Sequence, residues 1–231
     1  MNVHRFYDRR EAGRLLATKL AAYAHRPDVL VLALPRGGVP VAFEIARELH
    51  TPLDVIVVRK LGVPRYEELA MGALATGGVR VFNREIIERL GVPDTIIEDV
   101  AEREQRELWR RERLCRGDRP VYDVHNCIVI LVDDGIATGA TMRAAVAAVR
   151  QQQPSHLIVA VPVVAPSVRA AFAAEGVELI CILQPEAFMA VGSWYEDFAP
   201  TTDEEVRALL AQSLQAPGTA PIARGKHHHR G

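Results

Sequence analysis

Cysteine is scarce, aromatics are few, and neither sign of charge is in excess. The 231-residue chain has three cysteines, Cys115, Cys127 and Cys181. Their odd number and scattered positions exclude a disulfide framework and point to free thiols in a reducing compartment. No metal-ligand spacing joins them. Lysine and arginine number 28 against 29 acids, a formal net charge of −1. A protein whose main business is coating nucleic acid needs a basic excess to neutralise phosphates, so that class is set aside. Any attraction for an anionic substrate has to be local. Met1 to Arg14 is polar and no apolar run reaches membrane length, so neither a leader nor a span is expected, and a cytoplasmic protein is. Several site motifs are absent too. No Gly-x-Gly-x-x-Gly opens a helix, no Lys precedes the final Thr of the glycine loop described below, and no Gly-x-Ser-x-Gly nucleophile elbow occurs.

What is present suffices for a full core. Hydrophobic residues make up 49% of the chain, which suits one α/β domain with additions. Short apolar runs at 28–34, 53–58, 128–132, 157–164 and 177–183 alternate with stretches of helical period at 8–26, 39–49, 141–149 and 168–174. That alternation predicts a doubly wound parallel sheet, in which ligands gather at the carboxyl ends of the strands. The helix from Asp8 to Arg26 is expected to lay one face on the core and to carry no chemistry.

The chain is organised around Ile128 to Thr141. Five apolar residues lead into Asp133 and Asp134, then into the small-residue loop Gly135-Ile136-Ala137-Thr138-Gly139-Ala140-Thr141, which opens a helix. Glycine lets the backbone approach a ligand closely. Amide N–H groups from Ala137 to Thr141, with two hydroxyls, can converge on a small anion at the helix N-terminus. Two carboxylates beside such a loop would repel a bare phosphate. The ligand should therefore also present hydroxyls or a divalent cation, as a ribose 5-phosphate does. This stretch resembles the phosphoribosyl pyrophosphate (PRPP) motif of the type I phosphoribosyltransferases: an apolar run, two acids, a variable residue and a loop ending Thr-Gly-x-Thr. Gly135 departs from the pattern, standing where a branched apolar residue is common; it is expected to loosen the loop entrance while removing no ligand group.

The resemblance covers most of Asp8 to Leu214, and it implies roles for other positions. Arg36-Gly37-Gly38 follows the first core strand and combines a guanidinium with a glycine pair, groups able to face phosphate oxygens; a plain tight turn is the alternative. In the family this loop binds pyrophosphate. Arg59 and Lys60 directly follow the strand at 53–58. The polar stretch Gly62, Pro64, Arg65, Tyr66, Glu67 and Glu68 is similar to the mobile loop that closes over the family's site, so Arg59 and Lys60 are expected to meet the diphosphate. Solvated surface charge is the alternative. Asp133 and Asp134 are expected to hold the ribose hydroxyls and to assist Mg2+ through water.

Two segments lie outside this plan. After a hairpin at 70–75 and 79–82, a helical insertion at 84–119 holds a helix over 84–90 and one over 95–114, the latter with Thr95 and Glu98 in capping-box spacing. Its run Trp109 to Arg113 is interleaved with Glu107 and Glu112, which favours a solvated face or subunit contact over a nucleic-acid patch. The hood at 185–200 carries Phe188, Trp194, Tyr195 and Phe198, four of the chain's thirteen aromatics. It is similar to the base-reading segment of purine-using members, with Phe188, Trp194 or Tyr195 expected to stack on a base; a core-sealing flap is the alternative. A terminal helix follows at 202–214. Residues 215–231 are expected to be a flexible tail, whose His227-His228-His229 is given no function.

The implied activity is transfer of the phosphoribosyl group of PRPP to a nitrogen nucleophile, a nucleobase above all, with release of pyrophosphate. A homodimer acting in nucleotide metabolism, of the purine-salvage kind, would be usual for the family. The long insertion also resembles members of unassigned substrate, some of which continue into hydrolase domains in longer chains. A PRPP- or nucleotide-sensing regulator without turnover is the alternative function, favoured by the extra helices, whereas Lys60 and the mobile loop favour the enzyme.

Overall fold

The computed structural model describes residues 5–64, 66–117, 119 and 121–214, the side chains of Glu67 and Glu68 excepted. The expectations for Arg65 and for the tail, with its three histidines, lie outside the described residues.

The chain opens with α1 (Arg9–Lys19), capped by Asp8, whose carboxylate accepts the Glu11 N–H at 2.7 Å. Next come β1 (Val29–Ala33), with all five residues buried, α2 (Gly38–Leu49) and the short β2 (Leu53–Val55). The sequence predicts one strand from Leu53 to Val58 followed by a mobile loop. Instead the chain leaves the first sheet at Ile56 and forms β3 (Val58–Val63), which joins β4 (Tyr66–Ala75) and β5 (Val79–Phe82), the expected hairpin, in a separate antiparallel sheet. Buried Thr76 makes the turn-out: its hydroxyl accepts the Val57 N–H at 2.8 Å and its own N–H donates to Val57 O at 3.0 Å. Leu61 and Val63 are buried while Lys60 is exposed, a two-residue period that Gly62 and Pro64 mask in the sequence. The pairing of β3 with β4 shifts register at Gly62, so its backbone serves a bulge.

Two helices follow, α3 (Arg84–Leu90) and the 23-residue α4 (Asp94–Arg116). Pro93, not Thr95, stands at the N-cap of α4, so the expected capping box does not form. Ile97, Val100, Ala101 and Leu108 pack with Leu61, Val63, Met71 and Leu74, so α4 lies on the small sheet. The chain then makes β6 (Ile128–Val132), α5 (Ala140–Gln151), β7 (His156–Val163), α6 (Pro166–Ala174), β8 (Glu178–Leu183) and α7 (Asp203–Ser213). Thr202 caps α7 by accepting the Glu205 N–H at 3.1 Å, as its spacing predicts.

The central sheet is wholly parallel, ordered β2-β1-β6-β7-β8, which bears out the predicted α/β fold. Helices α1, α2 and α7 cover one face and α5 and α6 the other. Each fully buried Val, Leu or Ile contributes roughly 1.5–3 kcal/mol over its exposed state, so these two layers hold the strand ends firmly. After β1 the chain winds to one side, towards β2, and after β6 to the other, towards β7. The order therefore reverses between β1 and β6, where a doubly wound sheet opens a crevice. Among the described residues no helix is long and apolar enough to cross a membrane.

Candidate active site

Ala33 pairs with Val132 across the reversal point, so the loop after β1 and the acids after β6 leave the sheet side by side. Their approach depends on two glycines. A Cβ on Gly37 would stand 2.1 Å from Asp134 Oδ2, and one on Gly38 would stand 2.7 Å from Val132 O. With hydrogen there instead, Pro35 to Gly38 lies flat against the acid pair; its Pro35–Arg36 peptide is cis. Gly37 and Gly38 are thus brought against Asp134 and Asp133, while the Arg36 side chain reaches toward Asp203, 3.9 Å from its Nη1.

The stem of the anion loop is fixed to the next strand. Ile136 N–H donates to Val163 O at 2.9 Å and Ile136 O accepts from Ala165 N–H at 3.0 Å. Beyond it the amides of Ala137 through Thr141 have no backbone acceptor among the described residues, and Ala137, Thr138, Ala140 and Thr141 are exposed. Gly139 takes a φ of +78° at the N-cap of α5, where a Cβ would meet Phe172 and Val168 of α6 at 3.1 Å. Free donors above a helix N-terminus form an anion seat.

Gly135 is not a looser entrance. Its missing side chain is replaced by Val191 of the hood: an added Cβ would come within 2.6 Å of Val191 Cγ1 and 2.8 Å of Val163 Cγ1. The hood is seated on the loop at this point.

Burial raises the pKa of both members of the acid pair. Desolvation, and then the neighbouring Asp134 charge, push the Asp133 carboxyl well above the usual carboxylate range. Asp134 is also raised by desolvation, with Arg9 opposing. Asp133 Oδ1 accepts the Asp134 N–H at 2.9 Å, and the residue remains partly accessible at the crevice floor.

Arg9 is the functional side chain that sequence reasoning missed. The helix expected to carry no chemistry places its first residue on Asp134, with Nε to Oδ2 at 2.9 Å. Its guanidinium lies 3.9 Å from the Phe198 ring centroid and donates to Ala199 O at 2.8 Å. Nothing local in the sequence links residues 9 and 134; Asp8 as a helix cap marks only where the helix begins.

Tyr195, expected to stack on a base, is 4% exposed and donates its hydroxyl to Asp134 O at 2.5 Å. Phe6 and Phe198 flank it, with ring centroids at 5.4 and 5.1 Å, and burial drives its phenol far above the ordinary range. It is a strut beneath the acid pair, with no free face for a ligand. Phe188 and Trp194 are half-buried against the hood cluster, and the buried Trp194 Nε1 has no acceptor among the described residues.

A cleft of about 970 Å³ extends from Arg36 and Thr141 toward the insertion. Lys60 lines it from an exposed position on β3. Arg59 lines it too but is held by Glu104 of α4, Nε to Oε2 at 2.8 Å, so it is less available to a ligand than the sequence implied. Arg110 and Arg111, expected on a solvated face or subunit contact, also line this cleft.

A phosphoribosyl transferase domain model matches residues 5–183. The chain belongs to the phosphoribosyl transferase domain family. It is 44% identical over 205 residues to two curated Mycobacterium tuberculosis proteins, each provisionally named a phosphoribosyl transferase. The match takes in 89% of this chain and 46% of each relative, so the chain spans about half their length. The crystal structure of TT1426 from Thermus thermophilus superposes with a TM-score of 0.79 at 41% identity, covering 90% of this chain and 98% of that one. With this family assigned, the anion loop, acid pair and Arg36 loop are the parts of the domain that the sequence motifs mark out.

Proposed function

We propose that this phosphoribosyltransferase domain moves the 5-phosphoribosyl group of PRPP to a nitrogen nucleophile, a nucleobase, releasing pyrophosphate. The observation that carries the reading is the convergence, at the β1–β6 reversal, of an open amide seat, a desolvated acid pair and an arginine-glycine loop. The 5-phosphate takes the amides of Ala137 to Thr141, the ribose hydroxyls donate to Asp133 and Asp134, and the diphosphate meets Arg36, Gly37 and Gly38 with Lys60. Arg9 and Tyr195 hold Asp134 in place, the first by its carboxylate and the second by its carbonyl. Phe188 and Trp194 are the remaining candidates to touch the base.

Mg2+ suits the donor set. Among the described residues no cluster of three or more His, Cys, Asp or Glu could cage a metal. Two carboxylates are enough for a hard cation that keeps its waters and takes further oxygens from substrate phosphates. Asp133 is the freer ligand, because Asp134 Oδ2 is committed to Arg9. When bound, the ion neutralises charge on the departing diphosphate. We extend the proposal to a cytoplasmic homodimer in nucleotide metabolism of the purine-salvage type.

The test is pyrophosphate release from Mg·PRPP offered in turn with adenine, guanine, hypoxanthine, xanthine, uracil and orotate. Release with one base, lost in Asp133→Asn/Asp134→Asn protein, is the expected result and names the acceptor. PRPP binding without release for any base would replace the enzyme by a sensor or an untested acceptor, and failure to bind PRPP would end the reading.

A further inference from the structure

The insertion helix contributes more positive charge to the cleft than its own carboxylates compensate. Arg110 and Arg111 share a single partner, Glu107, at 2.7 and 2.8 Å, and between them they hold its carboxyl down at about 2. One turn or two earlier on the same helix, Arg103 shares Glu104 with Arg59. Each trio of two guanidiniums and one carboxylate retains a positive charge. Neither Arg110 nor Arg111 is committed to packing: their side chains are 60% and 49% exposed.

Asp203, in the first turn of α7, ties this charge to the Arg36 loop. Its carboxylate lies 3.9 Å from Arg36 Nη1 and also favours the charged form of Arg110. Buried Cys115 on the cleft wall feels Asp203, Arg111 and Arg36 together. The two arginine groups, one from the sheet and one from the insertion, therefore face the same space with one acid between them. A polyanion entering that space would take Asp203's place as counter-ion. Guanidinium forks suit this task because they pair bidentately with phosphate oxygens.

We infer that α4 is the outer wall of the diphosphate subsite, with Arg110 and Arg111 binding the diphosphate of the ribosyl donor across the cleft from Arg36. The inference rests on the PRPP reading above. It assigns to the insertion the part that Arg59, tied to Glu104, is poorly placed to play. It also gives Asp203 the opposite sign: a carboxylate that competes with the ligand.

The experiment is calorimetric titration of Mg·PRPP, magnesium pyrophosphate and ribose 5-phosphate into the parent protein, Arg110→Ala/Arg111→Ala and Asp203→Asn. The double variant is expected to lose about tenfold or more in affinity for PRPP and pyrophosphate, the scale of one or two charge-assisted hydrogen bonds. Its affinity for ribose 5-phosphate stays unchanged and its salt dependence becomes shallower. Asp203→Asn tightens pyrophosphate severalfold. Equal affinity of parent and double variant for pyrophosphate and PRPP overturns the inference and leaves the PRPP reading standing. A parallel loss of ribose 5-phosphate binding overturns it too, since that would mark a structural role. A parent protein that binds neither PRPP nor ribose 5-phosphate overturns both readings.

Discussion

Asp133 and Asp134 show what adjacent acids cost a folded chain before any ligand arrives. Both hold their protons more tightly when folded than in the unfolded chain, chiefly because burial disfavours the charged form. Between the unfolded and folded values the folded state binds more protons, so stability falls as pH rises through that window, and the full penalty persists above it. Asparagine carries no such penalty, and its Oδ1 can still accept the Asp134 N–H. Asp133→Asn protein without ligand is therefore expected to melt above the parent at pH 7–8, by about 2–4 °C for each kcal/mol recovered. The gap should close as pH falls toward 4. Melting curves across pH decide it, and a lower Tm at neutral pH would refute the account. At this scale the sequence was legible where chemistry is contiguous: two acids, a loop and a helix start in one run. Arg9 and Tyr195, which hold the second acid from 125 and 61 residues away, leave no local trace.

Elements were legible where periodicity was clean. The five parallel strands read as short apolar runs because both faces are covered, and each falls at its predicted run, although the run at 53–58 gives only the three residues Leu53–Val55 to this sheet. In the small sheet the hairpin of β4 and β5 was legible, but β3 and the start of β4 were not, because Gly62 serves a bulge and Pro64 a turn, both of which look like loop residues when β3 and β4 are not seen paired. Gly135 is the same kind of case: in sequence it is a departure from a pattern, and in the fold it is half of a contact between hood and loop. Gly135→Val is expected to destabilise by about 1–3 kcal/mol through overpacking, since Val163 is fixed in β7 and cannot withdraw. Val191 sits in a short 3-10 turn and can be trimmed. Val191→Ala alone should cost a little packing, yet in the Gly135→Val background it should recover part of the loss. A double-mutant cycle by urea unfolding measures the coupling. Additive effects would show that the hood does not rest on Gly135.

Across the whole molecule the N-terminal segment and the hood form one layer over the acid pair, and neither was legible as such. Phe6 N–H donates to Trp194 O at 2.9 Å, Glu196 N–H donates to Phe6 O at 2.8 Å and Asp197 N–H donates to Tyr7 O at 2.8 Å. The fully buried Phe6 ring packs on Tyr195, which in turn supports Asp134, and Arg9 follows three residues later. Contacts between residues 6 and 195 arise only when the sheet has brought strand ends and termini together, so no window of sequence contains them. This layering makes an anchor far from the ligand loops matter to the site. Phe6→Ala is expected to cost about 3–5 kcal/mol, the range for losing a buried aromatic ring, and to lower Tm by roughly 6–20 °C in a chain of this size. At temperatures where the variant is still folded, its affinity for Mg·PRPP should fall as well, because Tyr195 and Arg9 no longer hold Asp134 in one position. A surface change of similar chemistry, Tyr7→Ala, removes a side chain that is 61% exposed and should leave both quantities near parental values. Melting and titration of the two variants side by side test this: equal PRPP affinity in folded Phe6→Ala protein would make the layer a lid on the core with no part in ordering the site.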